Sequence, residues 1–451
     1  MFVLTNAWRA VTRRWAISAL TVVVTLLVSF GTIASIAIVQ ENDTAHGSAY
    51  DAQTPNAVLR PTAATQATMK SDDAKATTSR YLTFDDYTPY AVAAQEKAVS
   101  FTYTFMETLP VRQTAKFKAI AGTADTETSA DKTGGEFQLR AFYDGKTKQD
   151  NDYGQYTIVD GKTLKFTDTS FTGALISKSV ADKNGLKVGD TFKVGDPTDK
   201  SKTYELTVRG IYQYDDSDDS NSSTAKSEYA KDNRENVIYT AYATTYTLGL
   251  DKLGDAKAKN TWSMPQLDII FDFSDVATYN KFVKLVKKAK LPKGYTLESP
   301  SLETYTKSIE PLAATASRTR IILWVVALGG CIVLAALTIA RTWFGRTDEI
   351  GMALVSGVTK PRLGWQFMVE TFMLTVIPAV IGLVAGGLSA GAIGTALAGG
   401  HATPVTSGIV WPLVWESIGI VVVLAIVAML RPATFPNANL FKASEISEDK
   451  A

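Results

Sequence analysis

WAISALTVVVTLLVSFGTIASIAIV, residues 15–39, contains no charged side chain. A bilayer core about 30 Å thick is crossed by roughly 20 apolar helical residues, so this stretch is long enough to span a membrane. Ser35-Ile36-Ala37 is a small-x-small triplet of the kind a signal peptidase cleaves. The run nevertheless exceeds the roughly 7–15 residues of a signal h-region, and it reads as an anchor.

A second uncharged run covers 321–340 and stops at Arg341-Thr342-Trp343, a charge and an aromatic suited to a membrane interface. A third, 367–400, has Glu370 near its start and carries Pro378 and many glycines. Gly382 with Gly386, and Gly387 with Gly391, repeat the small-xxx-small spacing that lets helix backbones approach closely in lipid. The fourth, 413–430, follows Trp411 and ends at Arg431-Pro432.

Arg9, Arg13 and Arg14 precede the first run, Arg341, Arg346, Lys360 and Arg362 lie between the second and third, and Arg431 and Lys442 follow the fourth. The positive-inside rule then puts both termini in the cytoplasm. The expected division is a cytoplasmic N-terminus 1–14, spans 15–39, 321–340, 367–400 and 413–430, and a cytoplasmic segment 341–366. It continues with an external link 401–412, a cytoplasmic tail 431–451 and a large external region 40–320. Arg318 and Arg320 sit on the outer side against the rule, but long translocated loops obey it poorly and Arg320 can snorkel.

Within the external region, 40–80 is rich in Ala, Thr, Ser, Gln and Asp without clear periodicity, and reads as a low-complexity connector, with helical continuation of the first span as the alternative for part of it. Alternation in Ser100–Phe105 predicts a strand with Phe101, Tyr103 and Phe105 on one face, and further strands are expected at 117–120, 138–143, 203–212, 237–239 and 267–273. Residues 276–290 carry helical spacing, with Phe282, Val283 and Val286 near one face. The fold class is therefore an α+β external domain inserted after the first of four transmembrane α-helices of a polytopic membrane protein.

Composition narrows function. Forty-six basic against 45 acidic residues leave a net charge of +1, without a basic stripe interleaved with aromatics, which argues against nucleic acid as a partner. The lone Cys331 lies in an apolar run and reads as a small hydrophobe. The two histidines, His46 and His401, belong to no metal or triad pattern. Asp215-Asp216-Ser217-Asp218-Asp219 offers oxygens to a cation, but lacks EF-hand spacing and reads as a solvated acidic loop. No G-x-x-x-x-G-K-[ST] occurs, so ATP hydrolysis is not expected of this polypeptide.

Two segments carry a resemblance. Ala174–Asp190 has a short helix with Val180 and Ala181, an Asn184-Gly185 stop and a Gly189-Asp190 turn. With Thr191–Val194 and Tyr204–Ile211 it resembles the core of the MacB-type periplasmic domain. Ile158–Lys162 and Asn236–Tyr239 resemble other parts of that domain. Arg346-Thr347-Asp348-Glu349-Ile350-Gly351, then Gly357 and Glu370, resemble the FtsX-like permease signature. Where that family has Arg-Ala-Leu-Gly after the Glu-Ile-Gly, this chain has Leu354-Val355-Ser356-Gly357, a more apolar run.

The resemblance to MacB/FtsX-like ABC transporter permeases implies a permease subunit in a bacterial inner membrane, with ATP and Mg bound by a separate ABC ATPase. It also implies a second permease copy or paralogue, contact with membrane lipid, and an external adaptor or cell-wall enzyme as a further partner. Export or extraction of a substrate is the function this implies, favoured by the size of the external region, since FtsX itself has a smaller one; FtsX-like mechanical regulation of a cell-wall hydrolase or sensor is the alternative. Arg346, Asp348, Glu349, Ile350, Gly351, Leu354 and Gly357 would form the ATPase-coupling segment, with Ile350 inserting into an apolar groove of the ATPase. An ordinary interfacial helix is the alternative. Glu370 would pair with Arg346, Arg362 or a neighbouring helix, or else lie at headgroup depth. Glu416 is expected to stay solvated near the outer end of the fourth span.

Overall fold

The computed structural model describes residues 2–124, 126–151, 153–167, 172–215 and 227–436. The chain divides into two units, 51–304 and a second built from 1–50 and 305–451.

The second unit is helical. Among the described residues four helices are long and apolar enough to cross a membrane, the helical segments being Trp15–Asp51, Pro300–Trp343, Lys360–Leu397 and Ser407–Ala433. Each of the four runs past the apolar stretch that announced it at one end or both. Trp15–His46 is one helix, and the second span's helix begins at Pro300, with a π-helical stretch at Val325–Gly329. These extensions hold together by their own apolar contacts. Ile38 and Ala45 of the first pack with Ile309, Leu312 and Ala316 of the second, Tyr305 donates to the Ala45 carbonyl at 2.8 Å, and Arg320 pairs with Asp43 at 3.2 Å. Around the apolar windows, large side chains such as Leu27, Ile321, Trp324, Ile332, Val384 and Val423 face outward, as lipid contact requires.

The first and third spans touch backbone to backbone. A Cβ at Gly382 would overlap Ser29 Oγ and stand 2.6 Å from the Leu26 carbonyl, and one at Gly386 would stand 2.8 Å from the Phe30 carbonyl. Gly387 and Gly391 do not share this role: a Cβ at Gly387 meets only ordinary contact, and Gly391 has nothing nearby. The stripe that packs is Gly382, Gly386, Ala390 and Gly394, all buried and four apart, because the 3.6-residue turn returns every fourth residue to nearly the same side. On the first span Ser18, Thr21, Thr25 and Ser29 repeat at similar spacing and each donates to the carbonyl four residues back, satisfying hydroxyls that lipid would leave unpaired.

The 51–304 unit holds a ten-stranded sheet among its described residues: β1 Asn56–Pro61, β2 Thr102–Val111, β3 Phe137–Phe142, β4 Tyr156–Gly161, β5 Gly173–Ser177, β6 Thr191–Gly195, β7 Thr203–Tyr214, β8 Val237–Ala241, β9 Gln266–Asp272 and β10 Tyr295–Glu298. The order is β10-β1-β9-β2-β3-β8-β5-β7-β4, with β6 also on β7. β3 with β8 and β5 with β7 are parallel, and the other pairs are antiparallel. Helices Phe84–Glu96 and Val276–Ala289 cover one end, where Tyr87, Tyr90, Phe282 and Val286 meet Phe105, Ile269 and Phe271. The short helix Lys178–Asn184 buries Val180 and Ala181 and ends on Gly185 at φ 64°, as its sequence announced.

Two expectations fail here. Residues 41–80 are not a connector: they continue the first helix to His46, the alternative reading, and beyond it form β1 between β9 and β10 and helices Ala63–Met69 and Ala74–Thr78. Their small polar residues are sufficient because Ala57 and Leu59 are enclosed by strands from the far end of the unit. Nor is 117–120 a strand. Phe117 is fully buried, stacked on Phe137 at 4.6 Å, and burial of one aromatic there does not require a ladder.

Candidate functional site

After Trp343 the helix breaks at Phe344-Gly345, and a nine-residue helix, Thr347–Val355, turns back before the third span. Its start follows from charge, since Asp348 and Glu349 occupy the first turn where the dipole favours anions. It ends in a Schellman motif: the Val358 amide bonds the Ala353 carbonyl, the Gly357 amide bonds that of Leu354, and Gly357 takes φ 88°. Gly357 thus acts as a cap. Lys360-Pro361 then opens the third span, with proline where its missing N–H is harmless.

At the root of this helix lies a buried charge cluster. Arg346 donates from Nη1 to Glu370 Oε2 at 2.7 Å, from Nη2 to Glu370 Oε1 at 3.1 Å, and from Nε to Glu349 Oε2 at 2.9 Å. Its guanidinium lies over the Phe367 ring, 3.9 Å from the centroid. Arg341 reaches Glu370 Oε2 at 3.5 Å and Ser18 Oγ at 3.1 Å, and Gln366 donates to Glu370 Oε1 at 3.2 Å. Glu370 is buried between the two guanidinium groups, and the second carboxylate, Glu349, reaches Arg346 from the surface, which lets the charges be taken out of water. Arg14, at the head of the first span, donates to the carbonyls of Phe344 and Gly345, so the hinge between second span and short helix is pinned as well.

Glu370 is therefore buried and paired, with Arg346 as expected and with Arg341 on the neighbouring second span. Arg341, Gln366 and Ser18 were missed. The only signal for Arg341 was a cation closing an apolar run, which also describes an interface anchor.

Ile350 stands differently from its expected role. It is 0% exposed, packed with Leu363, Phe367, Ala428 and Phe435, while Leu354 is partly buried on the same cluster and Gly351 is buried. The open face carries Asp348, Met352 and Val355, spaced i, i+4, i+7, with Met352 57% and Val355 60% exposed. The short helix thus offers an apolar pair to solvent on one side and is held on the other by the Arg346–Glu370 pair and the Ile350 cluster.

Elsewhere, His46 and His401 each meet a backbone carbonyl, of Asn42 at 2.9 Å and Ser308 at 2.8 Å, and share no site. Glu416 is exposed. Of the acidic run 215–219, residues 216–219 lie outside the described residues.

Residues 321–440 match the family described as FtsX-like permease C-terminal. "Uncharacterized ABC transporter permease YclI" of Bacillus subtilis (strain 168) is 26% identical over 236 residues, 52% of this chain and 46% of that relative, so the match spans about half of each. The family match begins in the second span and takes in the charge cluster, the Thr347–Val355 helix and both later spans.

Proposed function

We propose that this chain, a membrane protein of the FtsX/MacB-like ABC permease family, is the permease subunit to which a separate ATPase docks through Asp348, Met352 and Val355. The observation that carries the reading is the helix Thr347–Val355, whose rear is fixed by Arg346–Glu370 and Ile350 while an apolar pair faces out. A lever needs this combination. A push on Met352 and Val355 passes through Arg346 to Glu370 on the third span, and through Arg341 and Ser18 to the second and first.

In this account ATP and Mg are bound by the partner, both termini face the cytoplasm of a bacterial inner membrane, and the 51–304 unit lies outside. Two copies, or two related permeases, present paired coupling helices to paired ATPases. Movement reaches the outside along the first two helices, which continue beyond their apolar runs and pack through Ile38, Ala45, Ile309 and Leu312. That continuity equally supports a mechanical regulator acting on an external partner without moving a substrate.

The test is purification from native membranes in mild detergent followed by mass spectrometry and an ATPase assay. An ATPase should co-purify, and hydrolysis should require it. Robust hydrolysis by the chain shown free of other ATPases would contradict the reading.

A further inference from the structure

The helix Phe2–Arg13, joined to the first span at Arg14, has three faces. Ala7 is buried, Leu4 and Trp8 are exposed with Trp15 just beyond, and Asn6, Arg9 and Arg13 line a cavity of about 210 Å³. Gln366 and the Arg346–Glu349 pair form other parts of its wall.

We propose that this cavity is a headgroup site for an anionic phospholipid. Charge points to an anion: Arg346 and Glu349 neutralise one another, whereas Arg9 and Arg13 make no ion pair among the described residues, and no carboxylate precedes Glu41 in the chain. Size points to a headgroup, because the cavity is below the roughly 300–1,000 Å³ of sites for drug-sized ligands. The neighbouring face points to lipid over free phosphate: Leu4, Trp8 and Trp15 are the apolar and aromatic residues that seat a basic amphipathic helix in the interface, directly before a span. Phosphate oxygens accept from Arg9, Arg13 and Asn6, while the acyl chains lie along the apolar surface.

The bound lipid would brace Phe2–Arg13 against Thr347–Val355. If the proposed ATPase docking holds, coupling then responds to the anionic lipid content of the membrane. Binding itself does not depend on that reading and is tested on the chain alone.

Delipidated full-length protein in mild detergent would be titrated with phosphatidylglycerol, phosphatidylcholine or inorganic phosphate, following retained lipid by native mass spectrometry and the thermal unfolding midpoint. Phosphatidylglycerol is expected to be retained and to raise the midpoint, the other two not. Arg9→Gln with Arg13→Gln should weaken its binding roughly tenfold or more, and Arg9→Lys with Arg13→Lys should keep most of it. Both arginines are exposed, so folding without lipid should be unchanged. Equal effects of the two lipids, an effect of inorganic phosphate matching phosphatidylglycerol, or undiminished binding by the double Gln variant would overturn the proposal.

Discussion

Arg346 grips Glu370 with two hydrogen bonds, 2.7 and 3.1 Å long, across 24 positions of chain, and both side chains are 1% exposed. Removing Glu370 leaves Arg341 buried without a carboxylate and Arg346 with only the half-exposed Glu349, a loss approaching the about 3–5 kcal/mol of a broken buried pair. Glu370→Gln, which strands Arg341 as well, is expected to lower the unfolding midpoint and the membrane abundance sharply. Glu370→Gln combined with Arg346→Met should be less damaging than the sum of the two, since the partners act as a unit. Unchanged midpoints for the single variants would show that the cluster does not hold the short helix.

Ile350 should behave as a core residue. Ile350→Val should lose about 0.5–1.5 kcal/mol, whereas Ile350→Asp places a carboxylate among Leu363, Phe367 and Phe435 and should destabilise the chain even with no partner present. Thermal unfolding of the isolated protein decides it. If Ile350→Asp unfolds like the unmodified chain, the residue is not packed as described.

The glycine stripe makes a positional prediction. A side chain at Gly386 meets the Phe30 backbone, which cannot swing aside, while Gly391 opens on space. Gly386→Ala is expected to cost about 1–3 kcal/mol by overpacking, and Gly391→Ala to be tolerated. Unfolding midpoints of the pair give the comparison, and equal midpoints would remove the backbone contact from the account.

How far the sequence could be read depended on the kind of signal. Four spans were legible because lipid demands long uncharged runs. Their true helical ends were not, since beyond the bilayer Ile309, Leu312 and Ala316 sustain the helix by packing on Ile38 and Ala45, a contact between segments some 270 positions apart that no local pattern displays. β1 was hidden likewise: Val58 pairs with Glu298 and Ile270, so its strand identity comes from distant partners, and composition alone suggested a connector. In the short helix, the spacing of Ile350 and Leu354 correctly marked an apolar face but could not say whether that face turned inward or outward. The Phe367 and Phe435 cluster behind it settled the direction.

Glu107 on β2 is fully buried between Phe105 and Leu109, and burial, then the charge of Asp251, pushes its carboxyl up to about 9. Unfolded, it titrates near the ordinary carboxylate value. Between these limits the folded chain binds the extra proton, so stability is full at acid pH and falls as pH rises toward about 9, levelling above. Unfolding midpoints of the full chain from pH 5 to 10 should show this decline, and Glu107→Gln should flatten it. An identical pH profile for the variant would place the titration elsewhere.

In the proposed complex the outward face of Thr347–Val355, carrying Met352 and Val355, docks the ATPase. Met352→Asp and Val355→Asp leave the Ile350 cluster and the Arg346–Glu370 pair untouched, so both variants should keep the unmodified unfolding midpoint and membrane abundance. The measurement is the amount of ATPase retained per permease after purification from membranes. Each variant should lose most of its ATPase, by about tenfold or more as an uncompensated charge at an apolar contact would dictate, while remaining folded. Full retention of the ATPase by folded Met352→Asp and Val355→Asp proteins would contradict it.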